Sequence, residues 1–185
     1  MTEGPDSEGS SAGRGRADRV AVTGTPGTGK STATALLEDE YDVIHLNERI
    51  KSDDDLWTER DADRDTLVAD LDAVRDHLSD WTGVLDSHLA HRFDVDRVVV
   101  LRCHPEAIES RLADRGESPE TAAENAESEA LDVILSEAVA EHGAEHVYEV
   151  DATDRDPEAV ADAIRAAVEG EREPSAGTVD FIDYI

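Results

Sequence analysis

The chain has 185 residues, and 46 acidic residues against 17 basic ones give it a formal net charge of −29. This length accommodates one domain with a sizeable core, and the acidic excess argues against direct nucleic-acid binding. Hydrophobic residues make up 38% of the chain and recur in regular patterns, which argues against an acidic disordered protein.

The first segment, residues 1–17, is rich in glycine, serine, arginine and acidic residues and has no apolar stretch. It matches neither a signal peptide nor a membrane anchor. We therefore expect a disordered arm, no membrane association and a cytoplasmic location, with the folded domain spanning 18–170.

A glycine-rich segment follows the first predicted strand, Val20–Val22. Residues 24–31, GTPGTGKS, fit the phosphate-binding pattern G-x-x-x-x-G-K-[ST]. In this pattern the glycines turn backbone N–H groups toward phosphate oxygens, Lys30 reaches the β- and γ-phosphates, and Ser31 offers its hydroxyl to Mg²⁺. The pattern lies between a strand and a helix, a context that disfavours a chance turn, so the sequence predicts a nucleoside triphosphate site.

Further apolar runs alternate with helical patterns and predict a five-stranded α/β domain. The continuous β-branched run at 98–101 is typical of a parallel strand buried on both faces, with helices covering those faces. The remaining predicted strands are Val43–Leu46, Val84–Leu85 and Val147–Val150.

Asp86 directly follows the predicted strand Val84–Leu85, where open α/β sheets place ligand groups. We predict that it joins the Mg²⁺ shell, directly or through water; the alternative is an ordinary loop aspartate. His88 lies two residues further on, where it can orient a water or contact phosphate. Its H-x-x-H spacing with His91 lacks the further ligands of a zinc site.

Helix starts are predicted where a capping residue precedes a proline, at Ser118 and Asp156, with His104 a weaker third. After Ser118 we expect one long helix with a loosely packed acidic first half. Its predicted core-facing residues are Leu131, Ile134, Leu135 and Ala138.

Arg111 and Arg115 lie four residues apart on one helical face, before a break at 116–119. We predict that they close over the triphosphate as part of a short lid at about residues 114–124. The alternative is an exposed helix end that favours basic residues. The single Cys103 is predicted to be a small buried hydrophobe.

These pieces together resemble the adenylate kinase 6 family, also called CINAP, over about residues 18–170. The resemblance rests on the loop 24–32, the Asp86-x-His88 pair, the strand 98–102 and the segment 111–116 with the helix after it. It implies a three-layer P-loop NTPase fold of the nucleoside monophosphate kinase type. The implied five-stranded parallel sheet has the order 2-3-1-4-5, and the monophosphate-binding region lies at about residues 46–70.

The resemblance also implies residue roles. Asp86 and His88 would form a Walker-B-like site, Arg115 would contact ATP from the lid, and the catalytic set would join these three to Lys30. Ser31 and Asp86 would be the Mg²⁺ ligands. The residues that would hold ATP are Gly27, Gly29, Lys30, Ser31 and Thr32, with Arg111 and Arg115 from the lid.

Lys51 is one of only two lysines in the chain and lies where the family carries a cation that faces the acceptor nucleotide. The alternative is a solvated helix residue. The acidic segment 52–64 is shorter than the family pattern, and the aromatic residues that usually follow the Asp-x-His pair are absent. The acceptor is therefore left open, with AMP favoured.

Two functions stay open. The first, from the resemblance, is a broad-specificity nucleoside monophosphate kinase that converts ATP and AMP to two ADP and also hydrolyses ATP. The second is an assembly ATPase that acts on a ribosomal protein of the uS11 type during small-subunit maturation, with His88 positioning the attacking water. A signalling GTPase fits poorly because the chain has no N-K-x-D sequence.

Two further expectations concern the charge and the C-terminal tail. High salt shortens the screening length to about 3 Å at 1 M and tolerates such an acidic chain, so we expect a halophilic source. The tail at 171–185 ends in an alternating apolar pattern, which fits an edge strand, a partner-docking segment or a floppy end. The floppy end is the favoured interpretation.

Overall fold

A five-stranded parallel sheet organises the protein, whose computed structural model describes residues 14–61 and 66–185. The strands in the described residues are β1 (Arg19–Thr23), β2 (Val43–His45), β3 (Trp57–Asp61), β4 (Thr66–Ala69), β5 (Gly83–Asp86), β6 (Arg97–Arg102) and β7 (Val147–Asp151). The main sheet has the order β2-β5-β1-β6-β7, with every neighbouring pair parallel. Counting only these five strands, this is the predicted order 2-3-1-4-5, so the predicted fold is confirmed.

Helices cover both faces of this sheet. They are α1 (Lys30–Ala35), α2 (Leu46–Ser52), α3 (Leu71–His77), α4 (Pro105–Asp114), α5 (Pro119–Ala130), α6 (Val133–His142) and α7 (Pro157–Glu169). Short 3₁₀ turns lie at Asp54–Leu56, Ala90–Arg92, Ala144–His146 and Ile182–Tyr184. Within the described part of the chain, no helix is long and apolar enough to cross a membrane.

The core has two halves, one on each face of the sheet, and β6 shows how one strand serves both. All six residues of β6 are buried. Val99 and Leu101 pack with α1 and α7 on one face, while Val98 and Val100 pack with α2, α3 and α6 on the other. The period-two alternation of a strand therefore places consecutive valines in opposite halves of the core.

The predicted long helix after Ser118 is wrong, because two helices, α5 and α6, occupy this stretch. They meet at Asp132, whose backbone is left-handed with φ 55°. Leu131, predicted to face the core, has a side chain that is 51% exposed. The first half of α5 is also firmly packed, since Ala122 is buried against Ile108 and Leu112 of α4.

The predicted helix starts differ in their capping. The Ser118 side chain accepts a hydrogen bond from the backbone N–H of Thr121, as an N-cap residue does. Asp156 and His104 also occupy N-cap positions, but neither side chain makes a capping hydrogen bond. In those two helices the proline at the first position marks the start.

An antiparallel hairpin of β3 and β4, which was not predicted from the sequence, lies between α2 and α3. Trp57 pairs with Ala69 and Asp61 with Thr66. The connecting residues 62–65 lie outside the described residues. The hairpin lies within residues 46–70, the region predicted to bind the monophosphate.

Residues 14–17, which were predicted to belong to a disordered arm, have defined contacts. The backbone N–H of Ala17 donates to the Val168 carbonyl at 2.8 Å, and the Arg97 guanidinium donates to the Gly15 carbonyl at 2.5 Å. The ordered chain therefore begins before residue 18, while residues 1–13 lie outside the described residues.

The C-terminal tail packs on its own domain rather than forming a floppy end. The Ser175 backbone N–H donates to the Val147 carbonyl at 3.0 Å, and the Thr178 N–H donates to Glu149 Oε2 at 2.6 Å. The Phe181 ring lies under the Arg102 guanidinium, 5.5 Å from its centroid, and edge-on to His104. The tail thus runs along β7 from Val147 to Glu149 and ends over the carboxyl end of β6, without adding a strand.

Candidate active site

The phosphate-loop segment 24–31 connects β1 to α1 at the carboxyl edge of the sheet, and its glycines are required by backbone geometry. Gly24 has φ +142°, and a Cβ atom there would collide with the carbonyl oxygen of Leu101. Gly29 has φ +93° and immediately precedes α1. Residues that carry a Cβ atom rarely adopt such positive φ angles. The loop therefore requires glycine at these two positions.

The Lys30 side chain folds back onto the loop that precedes it. Its Nζ donates to the carbonyl oxygens of Gly24 at 2.7 Å and Thr25 at 3.1 Å. Burial lowers the pKa of Lys30 to about 8, although the nearby carboxylates of Asp86 and Glu129 act in the opposite direction. A buried ammonium group poised in this way gains strongly from an incoming anion.

Two adjoining cavities open around the loop. The first has a volume of about 290 Å³ and is lined by Pro26, Gly27, Gly29, Lys30, Ser31, Thr32, Asn47, His88 and Arg115. The second, of about 210 Å³, is lined by Gly27, Thr28, Gly29, Thr32, Ala33, Arg111, Arg115, Ala152, Arg155, Pro157 and Val160. The structure therefore brings all of the residues predicted to hold ATP to one place, with Arg115 on both cavities.

Asp86 ends β5 with a buried carboxylate. Its Oδ2 accepts hydrogen bonds from His45 Nδ1 at 2.8 Å and Thr34 Oγ1 at 3.3 Å. Its Oδ1 is buried without a hydrogen-bond partner among the described residues. Magnesium prefers oxygen ligands, so this orphaned oxygen fits a Mg²⁺ shell together with the hydroxyl of Ser31.

His45 holds the Asp86 carboxylate through a hydrogen bond from one of its ring nitrogens. Its other ring nitrogen, Nε2, lies 3.0 Å from Glu38 Oε1. Burial opposes the charge on the ring, yet the hydrogen bonds with Asp86 and Glu38 raise the pKa of His45 above its ordinary value. The ring therefore fixes the orientation of the Asp86 carboxylate from behind.

His88 and His91 have separate environments despite their H-x-x-H spacing. His88 lines the first cavity, and burial together with the charge of Lys30 lowers its pKa to about 4, which leaves the ring neutral at physiological pH. His91 is turned inward, with Nδ1 2.9 Å from Thr23 Oγ1 and Nε2 2.9 Å from Glu137 Oε2. His91 is therefore a structural residue.

The two lid arginines lie beside the loop in different ways. The Arg111 guanidinium donates to the Gly27 carbonyl at 3.1 Å and contacts the Cys103 sulfur at 3.3 Å. Arg115 directly follows α4, at the start of the turn that leads to α5. Burial raises the pKa of the Cys103 thiol, in agreement with its prediction as a small buried residue.

Lys51 was predicted to face the acceptor nucleotide, whereas Asn47 was not predicted to belong to the site. Lys51 is exposed at the end of α2 and lines neither cavity. Asn47, one turn earlier on α2, does line the first cavity, and its Oδ1 accepts from Ser87 Oγ at 2.8 Å. Its position just past the carboxyl end of β2 was the one signal that pointed to it.

Comparison with known proteins places the chain in a family. A family model described as an AAA domain matches residues 20–132. Proteins named "Putative adenylate kinase" from Natronomonas pharaonis and Halobacterium salinarum are each 61% identical to this chain, over 90% of it and 99% of their own length. A protein of the same name from Methanocaldococcus jannaschii is 38% identical, over 90% of this chain and 97% of its own.

The chain belongs to the AAA domain family and is related to these proteins over most of its length. Two solved structures have folds similar to that of this chain. A shikimate kinase from Bacteroides thetaiotaomicron matches with a TM-score of 0.52 at 18% identity, over 80% of this chain and 95% of its own. A sulfotransferase from Alicyclobacillus acidocaldarius matches with a TM-score of 0.54 at 14% identity, over 92% and 87%. At these identities the likeness concerns the fold alone.

Proposed function

We propose that this protein is a nucleoside monophosphate kinase that transfers a phosphoryl group from ATP to AMP. The observation that carries the proposal is the cavity in which Lys30, Arg115 and the phosphate loop meet, with the buried Asp86 carboxylate acting electrostatically on Lys30. The family supports it, since the relatives that match almost the whole chain bear an adenylate kinase name.

The chemistry required of such a site is positioning and charge stabilisation. The glycine-rich loop and Lys30 bind the β- and γ-phosphates, while Arg115 stabilises charge on the transferring group from the opposite side. The Ser31 hydroxyl and the Asp86 carboxylate would hold Mg²⁺, which would supply positive charge to neutralise the phosphate oxygens. Arg115, in the predicted lid at residues 114–124, lines both cavities, so this segment borders the site from which water must be excluded.

The acceptor enters from the side of the first cavity that Asn47 and His88 line. Both side chains are uncharged hydrogen-bonding groups, since His88 is neutral above a pKa of about 4. The β3–β4 hairpin lies between α2 and α3, in the segment 46–70 where the monophosphate is expected. Lys51 would serve the acceptor only if α2 or the hairpin moved toward the loop.

A coupled assay in molar KCl with Mg²⁺ and ATP tests the proposal, with Lys30→Ala as the blank. Two ADP formed per AMP consumed, with little ADP in the absence of AMP, is the expected result. Equal release of ADP and inorganic phosphate with or without AMP would contradict it. Replacing AMP with other monophosphates in the same assay measures how broad the acceptor specificity is.

An assembly ATPase is the second candidate, and it is favoured by one observation. His88 is neutral and lines the cavity beside Lys30, a position from which its ring can orient a water for attack on the γ-phosphate. If the protein is an assembly ATPase of the adenylate kinase 6 group, its expected partner is a ribosomal protein of the uS11 type and its expected location is the cytoplasm. Phosphate release stimulated by that partner, rather than by AMP, is its expected signature.

A further inference from the structure

A buried network of charged groups connects the phosphate loop to the last turn of α5. Glu129 is only 3% exposed, and its Oε2 accepts a hydrogen bond from Thr25 Oγ1 at 2.5 Å. Its Oε1 accepts from Arg102 Nε at 2.8 Å and from the Cys103 backbone N–H at 3.1 Å. One carboxylate therefore joins α5 and the carboxyl end of β6 to the loop.

Thr25 is the point at which this network meets the loop's internal hydrogen bonds. Its carbonyl oxygen accepts from the Thr28 backbone N–H at 3.2 Å, from Thr28 Oγ1 at 2.9 Å and from Lys30 Nζ at 3.1 Å. The Thr25 peptide thus orients three donors that shape the loop around the position of the phosphates. Its side-chain hydroxyl is tied to Glu129.

The charges of this network do not cancel within it. The Arg102 guanidinium, 1% exposed, pairs with three carboxylates, those of Glu129, Asp132 and Glu149. The excess negative charge is partly offset by Lys30, since the Glu129 carboxylate attracts its ammonium group. Glu149 is also stabilised on its other side by the backbone N–H and hydroxyl of Thr178 in the tail.

We propose that Glu129 is a positioning residue for ATP binding, acting through Thr25 on the shape of the phosphate loop. The hydrogen bond to a buried carboxylate holds the Thr25 peptide in the orientation that Lys30 and Thr28 require. The same carboxylate lies on the helix that follows the lid, so the loop and the lid share one support. This inference rests on the proposed nucleotide site and holds for either a kinase or an ATPase.

Thr25→Val and Thr25→Ser test the proposal without disturbing the buried charges. Valine has the shape of threonine but donates no hydrogen bond, whereas serine keeps the donor. We expect Thr25→Val to bind ATP about tenfold more weakly, as loss of a hydrogen bond to a charged group does, and Thr25→Ser to restore most of the affinity. Titration calorimetry with Mg²⁺-ATP measures this binding directly, so the result does not depend on kinase activity.

Kinetics and a control variant separate positioning from a general loss of stability. With Thr25→Val, the KM for ATP should rise while the KM for AMP stays within twofold. Thr178→Val removes a hydroxyl contact to Glu149 in the same network, away from the loop, and should leave ATP affinity unchanged. In a Glu129→Gln background, Thr25→Val should cost little further affinity. Wild-type ATP affinity in Thr25→Val, or an equal loss in Thr178→Val, would overturn the proposal.

Discussion

Lys30 has an ammonium group that is held by carbonyl oxygens and has a pKa lowered to about 8 by burial. Bound phosphates raise that pKa, because they stabilise the charged form. Near pH 8 the free protein is about half protonated at this site, so ATP binding must take up protons there. The affinity is full below pH 8, where Lys30 already carries its charge, and falls as the pH rises above it.

Calorimetry in buffers of different ionisation enthalpy gives the number of protons taken up. We expect roughly half a proton per ATP at pH 8 and nearly none at pH 6.5, since free Lys30 is then protonated. Lys30→Arg is the matched control, because a guanidinium keeps its charge at every pH used. Uptake of the same size in that variant would assign the proton to another group.

Residues of the phosphate loop could be predicted because their roles are written in one contiguous pattern. Glu129 could not be predicted, and Asn47 had only its position after β2 as a signal, since each makes its contact with a residue far away in the chain, Asn47 with Ser87 and Glu129 with Thr25. Nothing in the local sequence separates Glu129 from the other acidic residues of α5. Lys51 was singled out because lysine is rare in this chain. Composition does not determine where a side chain points, and Lys51 is exposed outside both cavities.

Among the elements, the break between α5 and α6 depends on one residue. Asp132 is the single non-glycine residue with positive φ among the described residues, and its carboxylate pairs with Arg102. The ion pair thus holds a backbone conformation that costs about 1 kcal/mol or more for most side chains.

Substitutions at Asp132 separate the backbone cost from the charge. Asparagine tolerates the left-handed region and alanine does not, so Asp132→Ala should lower the free energy of unfolding by about 1 kcal/mol more than Asp132→Asn. Asp132→Gly should fall near the asparagine variant, because glycine also removes the strain. Denaturant unfolding in molar KCl measures all three. Equal losses for alanine and asparagine would show that the ion pair alone matters.

The main-sheet strands were predictable as elements because each contains a short apolar run, and the longest, at residues 98–101, is buried on both faces of the sheet. The β3–β4 hairpin was missed because its first strand, Trp57–Asp61, is mostly polar and exposed. The helix break was missed for a different reason. Apolar spacing continues through Leu131 and Ile134, so periodicity alone favours one helix, and only the distant Arg102 explains why the chain turns there.

For the molecule as a whole, the dominant quantity is its net charge of −29 on 185 residues. Self-repulsion of this size destabilises the compact state when it is unscreened. We propose that the protein requires salt to fold stably.

The free energy of unfolding should rise steeply between 0.1 and about 1 M KCl, as the screening length falls from about 10 Å to about 3 Å. Urea unfolding at fixed temperature across that range measures the effect, and urea adds no ionic strength of its own. Choline chloride at matched concentration should act similarly if screening is the cause. A flat dependence on KCl would mean that the acidic surface is not a liability in dilute buffer.

The first and last segments of the described chain contact opposite ends of the sheet strands. Ala17 is fastened beside Val168, before β1 begins, while the phosphate loop starts where β1 ends, about 15 Å further along the strand. Phe181 lies instead over Arg102, on the loop's own side. A fluorophore on residue 14 itself, whose side chain donates to the Glu145 carbonyl, therefore lies at the end of the sheet away from the nucleotide cavity. The same label in place of Phe181 would lie against Arg102, which pairs with Glu129 in the network that holds Thr25.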